Sequence, residues 1–213
     1  MTTASIMRAA EIIRDADALV IGAGAGMGVD SGLPDFRGDA GFWRAYPAFA
    51  SLGLSFVDLA NPRWFRDDPQ QAWGFYGHRL NLYRATVPHE GFHLLRRWGH
   101  SMKHGLFVLT SNVDGQFERA GFAQDEVLAV HGVIDRFQCA RPCSNAIWPA
   151  HADPIAIDNK MFRAQGQLPH CPICGGVARP NILMFGDGGW VDNEVAMAHV
   201  RFETWIRGLR GRM

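Results

Sequence analysis

Ala18-Leu19-Val20-Ile21 leads into Gly24-Ala25-Gly26-Met27-Gly28-Val29-Asp30-Ser31-Gly32-Leu33-Pro34-Asp35-Phe36-Arg37-Gly38, and this junction decides the fold. The apolar run reads as a buried parallel strand. Glycines just after such a strand let the backbone approach a phosphate, because they lack a Cβ and accept positive φ. No register of Gly22, Gly24, Gly26 and Gly28 satisfies G-x-G-x-x-G strictly. Nor does a second strand end in an acid about 20 residues later, as a dehydrogenase would need for the cofactor ribose. The junction therefore predicts a nucleotide site whose chemistry is not hydride transfer.

Two further segments share the first strand's character. Gly105-Leu106-Phe107-Val108-Leu109 ends in Thr110-Ser111-Asn112, and Val127-Leu128-Ala129-Val130 ends in His131-Gly132. Helical patterns over Pro69–Ala85 and His89–Gly99 separate them, and Thr3–Asp15 carries Ile6, Met7, Ala10 and Ile13 at helical spacing. Alternating strands and helices predict an α/β fold with a doubly wound, Rossmann-like parallel sheet, whose ligands gather at the carboxyl ends of the strands. The alternation breaks over residues 137–179, which read as an inserted zinc module with an irregular middle, Ser144–Leu168. The expected organisation is a nucleotide-binding domain of residues 1–136 and 180–213, with residues 36–90 as a helical lid and cofactor-loop part. Trp43–Pro62 is read as a mobile portion of that lid.

Composition narrows the function classes. In 213 residues, Lys+Arg and Asp+Glu both number 21, so no global basic field exists to hold nucleic acid. No apolar run approaches the roughly 20 residues that span a bilayer, and the start lacks a secretory pattern. A cytoplasmic protein is expected. Four cysteines form two close pairs, Cys139-x3-Cys143 and Cys171-x2-Cys174. In a reducing compartment two such pairs suit one tetrahedral zinc better than two disulfides, with free or redox-active thiols as the alternative. With all four positions filled by cysteine, the zinc would be structural, without a coordination position for catalysis.

The whole pattern GAGxGxxSGxPDFRG resembles the cofactor-loop signature of the sirtuins, the NAD-dependent protein deacylases. The resemblance implies a loop closing over NAD, with Gly24, Ala25, Gly26, Asp35, Phe36 and Arg37 at the cofactor. Thr110-Ser111-Asn112-Val113-Asp114-Gly115 is similar to the second signature of the family, and His131-Gly132 to its His-Gly dipeptide. These imply Asp114 on the nicotinamide carboxamide, Asn112 on the ribose or an ordered water, Ser111 beside them, and His131 as general base. A histidine side chain suits that role, titrating near 6.5 in its ordinary state. Three positions depart from the family: Gly28 stands for a hydroxyl residue, Ser111 for Gln, and Phe117 for a common His.

The resemblance extends to substrate recognition. Arg179–Asp187 is similar to the segment against which an extended acyl-lysine peptide pairs, implying contacts at Leu183, Phe185 and Gly186. Tyr76 and Arg79 share a helix face and resemble the Tyr-x-x-Arg pair by which one sirtuin class takes acidic acyl groups such as succinyl-lysine; an ordinary amphipathic helix is the plainer reading. The implied reaction is transfer of a lysine acyl group to the ADP-ribose of NAD. The acyl oxygen attacks the anomeric carbon and expels nicotinamide, His131 deprotonates a ribose hydroxyl that attacks the resulting imidate, and water completes release of lysine and O-acyl-ADP-ribose. ADP-ribosyl transfer, NAD hydrolysis and a non-catalytic acyl-peptide-binding module are the alternatives. The family continues past the equivalent of Met213 into a strand with a Gly-Thr-Ser type turn and a later Asn, which this chain lacks. Weak NAD binding and self-association through an exposed sheet edge are therefore expected.

Overall fold

The computed structural model describes residues 2–34, 46, 53–158 and 160–210. Asp35, Phe36, Arg37 and residues 43–45 and 47–52 of the expected Trp43–Pro62 lid lie outside the described residues.

Helix α1 (Thr3–Asp15) starts at Thr2, whose hydroxyl accepts the Ser5 N–H, and leads to strand β1 (Leu19–Ala23). A 3-10 turn over Ala25–Ser31 follows directly and closes at Gly32, which takes a left-handed conformation at φ 87°. Two short helices, α2 (Phe56–Leu59) and α3 (Trp64–Asp67), precede α4 (Pro69–Ala85). The bounds of α4 follow from local chemistry. Asp68 caps the start by accepting the Gln71 N–H, proline occupies the first helical position, and Thr86 turns extended at the end. Helix α5 (Glu90–Ser101) is capped by the His89 ring. It feeds strand β2 (Leu106–Thr110), a short helix α6 (Gln116–Arg119) and strand β3 (Val127–Ala129).

Strands β1, β2 and β3 pair in parallel in that order, with Ile21 beside Val108 and Val108 beside Val127. Successive residues of a strand face opposite ways, which divides the packing. Ile21, Leu106, Val108 and Val127 meet Phe92 and Leu95 of α5, with Phe117 and Phe122. Phe107 and Leu128 meet Ala198, Phe202 and Trp205 of the last helix, α7 (Asn193–Arg210). Helices thus cover both faces, the doubly wound arrangement that the alternation predicts. Phe117, the residue found in place of a histidine, sits 4.9 Å from the Phe92 ring in edge-to-face packing, so apolar core occupies that position.

A second sheet, ordered β5-β4-β8, is antiparallel. Strand β4 (Gly132–Cys139) carries the chain from the His131 corner out to the first cysteine pair, and β8 (Ala178–Ile182) brings it back. Gly132 holds φ at 75°, and a Cβ there would collide with the Asn181 carbonyl on β8. The stretch Ser144–Leu168 departs from the irregular course expected of it. It holds β5 (Ile147–Pro149) and a hairpin of β6 (Ile157–Asp158) and β7 (Arg163–Ala164). Strands this short carry no readable alternation; pairing with β4 and packing on α4 hold them.

Helix α4 is buried nearly all round, and its two sides differ in kind. Gly74, Gly77 and Asn81 lie on one side. A Cβ on Gly74 would collide with the Phe162 carbonyl, and the Asn81 amide pairs with both backbone groups of Ile155. Tyr76, Arg79 and Tyr83, spaced three and four apart, form the opposite side. In contrast, α1 has no buried residue, leaving Ile6, Met7 and Ile12 exposed, together with Val20 on β1. Among the described residues no helix is long and apolar enough to cross a membrane.

Candidate active site and metal centre

A cavity of about 420 Å³ opens where β1, β2 and β3 end, within the size range of small-molecule sites. Ala25, Gly28, Leu33 and Pro34 of the glycine loop line one side, and Ser111, Asn112, Val113 and Asp114 the floor. His131 stands at the rim, α4 supplies Tyr76, Arg79 and Tyr83, and Ile182 to Phe185 close the far wall with Phe56. Six separate stretches of chain thus converge on one space. Gly24, Gly26 and Gly186 do not line it. Gly24 does bear on it indirectly, because its carbonyl accepts the Asn112 side-chain N–H at 2.9 Å and ties the loop to the end of β2.

Parallel pairing places the strand ends in register, since Ala23 lies beside Thr110 and Thr110 beside Ala129. The Thr110 hydroxyl accepts the Asn112 N–H, and Asp114 Oδ1 accepts the Gln116 N–H, starting α6. Burial raises the Asp114 carboxyl above the ordinary carboxylate range, opposed by the Gln116 N–H and the Arg79 charge. The His131 ring meets the Ser111 carbonyl through Nδ1 at 3.2 Å. A carbonyl only accepts, so Nδ1 carries the proton and Nε2 is the basic nitrogen. Leu183 N–H donates to the His131 carbonyl at 2.9 Å, and Phe185 N–H to Ala60 at 2.8 Å. The side chains of Leu183 and Phe185 remain exposed beside the cavity.

Tyr76 and Arg79 both reach the cavity, at 1% and 6% exposure. The sequence analysis does not single out Tyr83, four residues beyond Arg79 and 5% exposed. Its hydroxyl accepts Nε of Arg79 at 3.1 Å and Nη2 at 2.9 Å. The only advance signal is the i, i+4 spacing that puts the two side chains together on a helix. Leu33, Phe56, Val113 and Met184 likewise carry no mark in the sequence; with Pro34 of the glycine-loop signature they supply apolar wall.

The four cysteines meet on the far side of the second sheet. Their sulfurs lie within 4.8 Å of one another, with Cys139 3.6 Å from Cys174 and Cys143 3.7 Å from Cys171. Thiolates bound about 2.3 Å from one tetrahedral zinc stand roughly 3.8 Å apart. Disulfide sulfurs would sit at about 2.05 Å. The cluster fits a single closed zinc site of four sulfurs, with Cys139 and Cys171 buried and Cys143 and Cys174 exposed.

Residues 24–202 match the Sir2 family. An NAD-dependent protein deacylase of Daphnia pulex is 32% identical over 194 residues, which cover 82% of this chain and 65% of that protein. One of Aeropyrum pernix is 32% identical over 185 residues, covering 86% and 65%. The chain therefore spans about two thirds of the length of these relatives. Among solved structures, a Sir2 homolog–NAD complex superposes with a TM-score of 0.69 at 26% identity, over 93% of this chain and 68% of that one. An ADP-ribose complex of a Sir2 homologue gives 0.66 at 25% identity, over 94% and 70%.

Proposed function

The chain belongs to the Sir2 family, and from that premise and the cleft geometry we propose that it is an NAD-dependent protein-lysine deacylase. The observation that carries the reading is the convergence of His131, Asn112, Asp114 and the α4 side chains on one cavity at the carboxyl ends of parallel strands. Relatives named as deacylases and a neighbour solved with NAD support it.

When bound, NAD supplies the ribose that accepts the acyl group and releases nicotinamide. The Asp114 carboxyl, with one oxygen committed to Gln116, presents the remainder of its hydrogen-bonding capacity to a carboxamide. Asn112, tethered to Gly24, keeps the glycine loop next to the floor of the cleft. His131 Nε2 takes a proton from a ribose hydroxyl, and the Ser111 carbonyl on Nδ1 fixes the tautomer that permits this. Gly24, Ala25, Gly26, Asp35, Phe36, Arg37 and Ser111 complete the proposed cofactor contacts. An acyl-lysine peptide would lie along Leu183–Gly186, where two N–H groups are committed inward and the apolar side chains face out. Tyr76 and Arg79 favour an acidic acyl group.

One structural zinc on Cys139, Cys143, Cys171 and Cys174 would hold residues 137–179 as a unit beside a nucleotide domain of 1–136 and 180–213. Four thiols kept for a metal suit a reducing, cytoplasmic setting. Exposed Ile6, Met7, Ile12 and Val20 support self-association through the β1 edge.

Mass analysis of products from NAD and acetyl- or succinyl-lysine peptides tests the activity. O-acyl-ADP-ribose is expected, and His131→Ala should lower its formation at least ~100-fold while leaving NAD binding nearly unchanged. ADP-ribose attached to protein would favour transfer. Free ADP-ribose without peptide dependence would favour hydrolysis, and peptide binding indifferent to NAD a non-catalytic module.

A further inference from the structure

Two hydroxyls on the cavity side of α4 have protons that no acceptor takes among the described residues. The Tyr76 hydroxyl is buried and has no hydrogen-bond partner among them. The Tyr83 hydroxyl accepts twice from Arg79, and among the described residues no acceptor takes its own proton. Burial raises both phenols, so each keeps its proton. Arg79 carries the charge, its guanidinium carbon 5.3 to 5.9 Å from the ring centres of Phe56, Phe75, Tyr76 and Tyr83.

A hydroxyl that accepts two N–H groups is polarised by them, which makes its own proton a better donor. The same two bonds hold the guanidinium in one orientation, so the site would not have to order a long side chain when a ligand arrives. A neutral acyl chain would leave the two hydroxyl protons unmatched in a dry wall, whereas a carboxylate offers about four lone-pair positions and an opposite charge for Arg79. We propose that Tyr83 is a specificity-determining residue that completes, with Tyr76 and Arg79, a three-donor site for the carboxylate of an acidic acyl chain. This rests on the acidic-acyl reading of Tyr76 and Arg79 and adds a hydroxyl that both positions the cation and contacts the ligand.

Asp114 also lines the cavity and feels the Arg79 charge, and a guanidinium placed solely to balance it would need no Tyr83. Binding separates the two roles without requiring turnover. Zinc-loaded wild type and Tyr83→Phe, which keeps the ring, are titrated with one fluorescent peptide carrying succinyl- or acetyl-lysine. The wild type should bind the succinyl peptide at least ~10-fold more tightly. Tyr83→Phe should weaken that binding roughly 10-fold, the scale of one hydrogen bond to a charged group, and move acetyl binding less than about twofold. No preference in the wild type would overturn both this role and the acidic-acyl reading. A preference undiminished in Tyr83→Phe would overturn the role of Tyr83 alone. Equal losses for both peptides would show that the hydroxyl only shapes the cavity, which also overturns it.

Discussion

In the cysteine knuckle, four side chains of one type face a single point, their sulfurs within 4.8 Å of one another. In the cleft, unlike side chains from six stretches of chain surround about 420 Å³ of space. The knuckle is complete in itself because every donor position is a thiol and one ion satisfies them all. The cleft is built to receive something, because among the described residues no acceptor takes the proton of the Tyr76 or the Tyr83 hydroxyl. A closed site is intolerant, since losing one ligand leaves three like-charged or unsatisfied sulfurs. An open site tolerates single departures, since each contact carries a small share of the binding.

Removing the metal tests the closed half and should produce the largest effect. The short strands β5, β6 and β7 lack the length to hold themselves. Zinc stabilises such sites by far more than the usual 1–3 kcal/mol of a point mutation. Cys171→Ser, or a strong chelator, should release about one zinc per chain and lower the melting temperature by more than ~10 °C. Thermal melts beside a colorimetric zinc assay read both quantities. Loss of zinc with an unchanged melt would show that β4 and β8 stand without the knuckle.

The open half responds next, through Asp114→Asn. Burial holds this carboxyl above its ordinary range, so folding takes up a proton between the unfolded and the raised value. Stability is then full below the ordinary carboxylate range and falls as pH rises through that window. Asn keeps an acceptor for the Gln116 N–H without the buried charge. The variant should therefore melt above the wild type at neutral pH, and the gain should vanish in acid. NAD-dependent turnover should fall ~100-fold or more, since an amide cannot reproduce a charged acceptor. Melting curves across pH check the sign. A variant less stable than wild type at neutral pH would mean that the carboxylate is satisfied by Arg79, and the cleft would then be as closed as the knuckle.

The two regions also differ in what their sequences reveal. The knuckle was readable from residue type, because few arrangements suit two close cysteine pairs. Its small strands were not, since two or three residues show no period and their pairing is set by β4 and α4. The parallel strands and α4 were readable to within a residue or so. Asp68-Pro69 at one end and Thr86 at the other punctuate the helix chemically, and the strands are continuous apolar runs. In the cleft, Asn112, Asp114 and His131 stood out by resemblance and by their place after strands. Tyr83 did not, because a tyrosine four residues past an arginine gains meaning only when burial forces their groups together.

Ser111→Gln sharpens the contrast with the smallest expected change. Ser111 stands where the resemblance implies glutamine, yet its backbone carbonyl still meets Nδ1 of His131 at 3.2 Å, a contact indifferent to the side chain. The departure should therefore affect cofactor affinity and not the proton transfer. The Ser111 side chain is exposed at the cavity floor, its Oγ 3.6 Å from where a Cβ on Gly24 would stand, so a longer side chain has solvent on one side into which to extend. One regained neutral hydrogen bond contributes about 0.5–1.5 kcal/mol, which is roughly 2- to 10-fold in affinity. Isothermal titration with NAD should show tightening of that size with an unaltered pH profile of turnover. Weaker NAD binding would mean that the cleft is fitted around serine, and that here too a single position is as constrained as any cysteine of the knuckle.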